Sequence, residues 1–271
     1  DPVPTQALIS NAAAQFSQQL VAINGVMDMY LHAPGGAIEV SGGGFGSQTI
    51  QSVSIPGKDQ DCIRSIVNRL DSIIDLDFAF VAEAAQADTA FYYDQDIDVG
   101  GSGNGSILGL AVAGSLGWEA FANYPAVADN WDYLQYVNLH EWGHSLGLEH
   151  PFEVGDGDTY EGNPDPWTSA YPEQTVMAYR NPKSGVWPEF FTDNDLNALI
   201  NVWGAESIVS EEENYSNQLI DIRGGSEVSD LTQKWLGTFS ETLKISDEEG
   251  RSLEVRASSW SGPHFEVRSS L

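Results

Sequence analysis

The amino-acid sequence predicts an α+β fold, and three segments predict it. Ile63, Ile66, Val67, Leu70, Ile73 and Ile74 recur at the spacing of a helix with one buried face. Leu76, Phe78 and Phe80 then alternate, as a half-buried strand does, and TAFYYD (89–94) reads as a second strand. The segment FTDNDLNALINVWG (191–204) starts with Thr192 as N-cap and Asp195 in the capping-box position. It carries Leu196, Leu199, Ile200 and Trp203 on one face and stops at Gly204. The economical arrangement is one sheet with helices packed on it.

Taken from the N-terminus, residues 7–28 are alanine-rich and apolar and read as a helix that HAPGGA (32–37) ends. With the loops behind it, that helix makes residues 1–58 an N-terminal segment, either mature protein or a pro-segment, or an element that packs on the cleft. A core follows over 59–205. After the strands, DQDIDVGGSGNG (94–105) is a loop by composition, and SILGLAVAG (106–114) can form a strand. DNWDYLQYVNLHEWGHSLG (129–147) opens with Asp and Asn as capping candidates and runs without proline to Gly147, a helix pattern. Residues 151–174 hold six acidic side chains, four prolines and three glycines, and read as a long loop of the functional or metal-stabilised kind. Beyond the closing helix, SEEEN is a solvated charge run, and LKISDEEGRSLEV (243–255) suggests a hairpin around DEEG. Residues 206–271 are thus expected to form a small β-rich appendage.

Eleven Lys and Arg face 40 Asp and Glu, a formal charge of −29 that repels nucleic acid and anionic membranes. No apolar run reaches the roughly 18 residues of a membrane span. The acidity has two readings, a solvated surface of a salt-adapted protein and a set of calcium sites. Asp94, Asp96 and Asp98 in the first acidic loop and Asp156 and Asp158 in the second are the candidate Ca2+ ligands, against the alternative of ordinary turns. The first loop departs from the EF-hand pattern at Val99 and Gly105. Cys62 is the one cysteine, so no disulfide forms within the chain.

Three of the five histidines fall within HEWGHSLGLEHP (140–151). On a helix, His140 and His144 project from one face one turn apart, close enough to chelate one ion. Glu141 lies one step round, where it reaches a water on that ion without being a ligand. Gly147 can take the left-handed conformation that ends the helix and returns the chain with His150 as third ligand. Three imidazoles leave a fourth position for water, the arrangement of a catalytic zinc site.

HEWGHSLGLEH resembles the HExxHxxGxxH signature of the metzincin clan of zinc endopeptidases, and with Leu148 and Pro151 it is most similar to the serralysin branch. The resemblance extends over residues 59–204. It implies a metzincin-like catalytic domain: a twisted mixed sheet with long helices, an active-site helix, a Met-turn and a C-terminal helix. TVMAYR fits the Met-turn, with Met177 as the hydrophobic floor of the site and Tyr179 as the tyrosine that binds zinc or stabilises the transition state. The SILGLAVAG strand would be the sheet edge that pairs with an extended protein or peptide substrate. The resemblance also implies secretion, and a proteinaceous inhibitor or pro-segment as a further partner. Two departures stand out: no GGxGxD calcium-binding repeats follow residue 205, and Ala178 replaces the serine typical of the serralysin turn. The function so implied is zinc-dependent peptide hydrolysis with Glu141 as base. The alternatives are a narrow-specificity or self-processing peptidase and a zinc-containing binding protein without turnover, for which Glu141 would have no use.

Overall fold

The computed structural model of the protein describes residues 2–99, 107–155 and 157–206, and the backbone of three further strands. The chain divides into two units, Asp1–Ile208 and Val209–Leu271. Among the described residues no helix is long and apolar enough to cross a membrane.

The first unit is mixed α and β. Its helices are α1 (Asn11–Leu20), α2 (Gly57–Asp71), the single-turn α3 (Tyr124–Val127), α4 (Trp131–Ser145) and α5 (Asp193–Trp203). Its strands are β1 (Val26–Leu31), β2 (Gly36–Val40), β3 (Gln48–Val53), β4 (Asp77–Phe80), β5 (Thr89–Asp94), β6 (Gly109–Ala113) and β7 (Trp118–Asn123). All seven belong to one sheet. The run β4, β1, β5, β7 is parallel, and β6 closes it as an antiparallel edge that, among the described residues, pairs with β7 alone. The hairpin β2–β3 joins antiparallel at the far end of β5, where Ser52 and Val53 face Asp94 and Tyr93.

β5 is buried along its whole length, as a strand covered on both faces must be. Phe91 and Tyr93 enter the main core, which also takes α2, α4 and α5, while Ala90 and Tyr92 enter a smaller core on the opposite face. α4 is buried nearly all round from Leu134 to Gly143. Its polar side chains therefore need partners inside: the Asn138 amide donates to the Tyr93 hydroxyl at 2.9 Å, and that hydroxyl donates to Asp59 at 3.1 Å.

The expected helix over 7–28 is shorter than the composition suggests. α1 ends at Leu20, Gly25 turns the chain at φ +71°, and 26–31 is the strand β1. Met27, Met29 and Leu31 alternate inward there, a period of two inside a run of apolar residues that equally suits a helix. The expected boundary at residue 58 is likewise not a structural division. β1 lies between β4 and β5, so a strand of the N-terminal segment sits in the middle of the sheet.

The helices expected over 129–147 and 191–204 are α4 and α5. Asn130 caps α4, and Thr192 with Asp195 forms the capping box of α5. In the second unit, β8 (Thr242–Ser246) and β9 (Ser252–Ser259) form the expected antiparallel hairpin, with Ile245 opposite Leu253. A third strand, β10 (Pro263–Ser270), pairs with β9. The SEEEN run and the DEEG turn lie outside the described residues.

Candidate metal centre

α4 carries His140 and His144 on consecutive turns, and the chain beyond it returns His150 to the same point. Leu146 and Leu148 both donate their backbone N–H to Gly143 O, which closes the helix tightly. Gly147 has φ +100°, and a Cβ there would stand 2.9 Å from Cα and Cβ of Ala14 on α1. Both conformation and space therefore require glycine. Gly147→Ala is expected to cost about 2 kcal/mol through backbone strain and the contact with α1, to be read as a lower midpoint in urea denaturation.

The N-terminal segment contributes directly to this turn. Ser10 N–H donates to Gly147 O at 2.9 Å and Glu149 N–H to Leu8 O at 3.0 Å, with Ile9 bridged antiparallel to Leu148. Ser10 and Ala13 line the same cleft as the histidines.

The Nε2 atoms of His140 and His144 each lie 3.1 Å from Nε2 of His150. Tetrahedral ligation at about 2.05 Å sets ligand atoms about 3.3 Å apart, close to this spacing. Each Nδ1 faces an oxygen: His140 donates to Val176 O at 2.8 Å, His144 to Leu148 O at 2.9 Å, and His150 to the Glu153 carboxylate. These acceptors assign the proton of each ring to Nδ1 and turn three bare Nε2 lone pairs toward one another. Burial and the neighbouring rings hold His140 well below the usual histidine range and bring His144 down to about 3. Bare Nε2 atoms converging at this distance would repel one another unless a cation lay among them. The three histidines can therefore hold a metal ion, and they are the only such His, Cys, Asp or Glu group among the described residues.

Glu153 belongs to this centre although it lies outside the signature. Removing it as Glu153→Ala is expected to weaken metal binding about 10- to 100-fold by freeing the His150 ring, measured by competition with a chelator of known affinity.

Glu141 is buried beside the triad, and burial pushes its carboxyl up to about 8. Tyr179 stands half-exposed at the rim, its ring 4.7 Å from that of His150 and 5.7 Å from that of His140. Burial and the charges of Glu141 and Glu153 push its phenol to about 12, so it is a hydrogen-bond donor at neutral pH. Met177 is fully buried, with its sulfur so close to Gly143 that a Cβ there would lie 2.8 Å away. The glycine inside a helix, unfavourable by propensity, lets Met177 pack under the site.

The turn bearing Met177 is fastened from two sides. Tyr136 donates its hydroxyl to Ala178 O at 2.6 Å, and Asp195 accepts from the Thr175 hydroxyl at 2.5 Å and Val176 N–H at 3.0 Å. Asp195, legible beforehand as a helix cap, thus also holds the residue whose carbonyl orients His140.

Among the described residues, the side chains of the acidic loops are not brought together as a group that could hold a metal ion. Asp94 ends β5 with its carboxyl buried and accepts from Asp96 N–H at 3.5 Å. Among the described residues, Asp94, Asp96, Asp98 and Asp158 form no metal-holding group, and Asp156 lies outside those residues. Cys62 sits on α2, in a groove against α4, away from the histidines. No family model matches the chain, and no curated protein matches it.

Proposed function

We propose that the chain is a zinc-dependent endopeptidase of metzincin type, most similar to the serralysin branch. The observation that carries this reading is the set of three Nε2 lone pairs, each ring held by an oxygen at Nδ1, with the Glu141 carboxyl in the same cleft. Three neutral imidazoles with an open fourth position suit zinc, which when bound supplies Lewis acidity toward a carbonyl and a water acidified to a pKa of about 7.

The chain's own groups do the rest. The ionised Glu141 carboxylate, which a cation held by the three histidines would favour against the effect of burial, takes a proton from water in the cleft and passes it to the leaving amine. Tyr179 donates a hydrogen bond to the oxygen of the tetrahedral intermediate. Among the described residues β6 pairs with β7 alone, and Gly109, Leu110 and Ala111 line the cleft alongside the histidines, so an extended peptide can add to the sheet there. The order of α2, the strands, α4, the Met177 turn and α5 supports the same reading.

Zinc content and casein cleavage, measured with and without a chelator, test the proposal. Cleavage abolished by chelation and restored by zinc is expected. Full zinc occupancy with no cleavage of any peptide library would point instead to a binding protein without turnover.

A further inference from the structure

Gly109, the first residue of the edge strand β6, faces the Glu141 side chain. A Cβ at position 109 would overlap Oε1 of Glu141 and stand 2.8 Å from its Cδ and 2.8 Å from Cγ1 of Val137. The backbone does not explain this glycine, since Gly109 is not among the residues with positive φ and pairs regularly with Ala122. Inside a strand, glycine is a poor choice unless something approaches closely. Here two side chains of α4 approach, and one of them carries the carboxylate.

We propose that Gly109 is a positioning residue for Glu141: the side chain absent from the strand is the space the carboxylate occupies between α4 and the substrate-binding edge. This rests on the reading of Glu141 as the base. Any side chain at 109 drives the carboxylate out of the plane between helix and strand. Its oxygens then no longer reach the water they are to deprotonate. The strand itself tolerates alanine, which lowers the conformational freedom of the unfolded chain.

Gly109→Ala, Glu141→Gln and the unaltered zinc-loaded protein are compared for peptide cleavage, zinc content and Tm, and after cobalt substitution for their visible spectra. For Gly109→Ala, kcat is expected to fall about 100-fold with KM little changed, the scale of loss that follows a displacement of about 1 Å. Zinc content and Tm should hold, and the cobalt bands should shift from those of the unaltered protein toward those of Glu141→Gln.

Unchanged kcat and an unchanged cobalt spectrum would overturn the proposal, as would a fall in Tm showing that the strand moves in place of the carboxylate. Adding Val137→Ala should leave kcat low, and recovery would assign the contact to Val137 and overturn it too. If the unaltered protein cleaves nothing, the peptidase reading fails, and the cobalt spectrum alone decides whether Gly109 positions Glu141.

Discussion

Replacing Glu141 with Gln is expected to lower peptide hydrolysis about a thousandfold while metal content stays unchanged. The three imidazoles do not depend on Glu141: their Nδ1 partners are Val176 O, Leu148 O and Glu153. The amide occupies nearly the same volume between α4 and β6, so the fold and the cleft should persist. What is lost is a group that can accept and return a proton. General acid–base catalysis contributes roughly 10²- to 10⁴-fold, and a thousandfold corresponds to about 4 kcal/mol of transition-state stabilisation. Loss in kcat with KM nearly unchanged is the expected division, because the carboxyl acts on water and leaving group more than on binding. Activity within tenfold of the parent protein, with zinc present, would remove Glu141 from the mechanism.

Asp195→Ala is expected to cost about 3 kcal/mol of stability and to weaken metal binding. The carboxyl is fully buried. It accepts from Thr192 N–H at 2.8 Å as well as from Thr175 and Val176. Truncation leaves these donors without an acceptor in a dry interior, at about 1 to 3 kcal/mol for a buried unsatisfied group, and breaks the capping box of α5. For a unit of this size, 3 kcal/mol lowers Tm by roughly 6 to 12 °C. The effect on the metal follows from the chain Asp195, Val176, His140: when Val176 N–H is released, the carbonyl of the same residue no longer holds the His140 ring. Thr192→Ala is the control. It removes a capping hydroxyl, costs about 1 kcal/mol and leaves metal affinity unchanged, because Val176 keeps its acceptor. Equal metal affinity in Asp195→Ala and the parent would show that α5 supports the fold without orienting the ligand.

The site was legible in the sequence to the extent that its parts are local. His140 and His144 are one helical turn apart, and a helix of uninterrupted pattern needs no knowledge of the rest of the chain to put them on one face. Gly147 followed by His150 is equally local, since a left-handed residue at a helix end turns the chain in a few bonds. Glu153, although three residues from His150, was hidden in an acidic loop whose many carboxylates all looked alike. Gly143 carried a signal, a glycine inside a helix, but only the packed Met177 explains it.

Sequence alone thus determined the type of the elements around α2, α4 and α5, the hairpin β8–β9, and the three histidines that can hold a metal ion. Periodicity and capping report how one segment exposes its faces, and those are properties of neighbours in the chain. Tertiary structure alone decided that 26–31 is a strand between β4 and β5, and that α1 closes against Gly147. It alone brought Asp195 to the turn of Met177, and set Gly109 against Glu141. Each of these joins groups far apart in sequence, and an alanine-rich run or a glycine in a strand is compatible with several partners. Only the packing of a filled core selects among them.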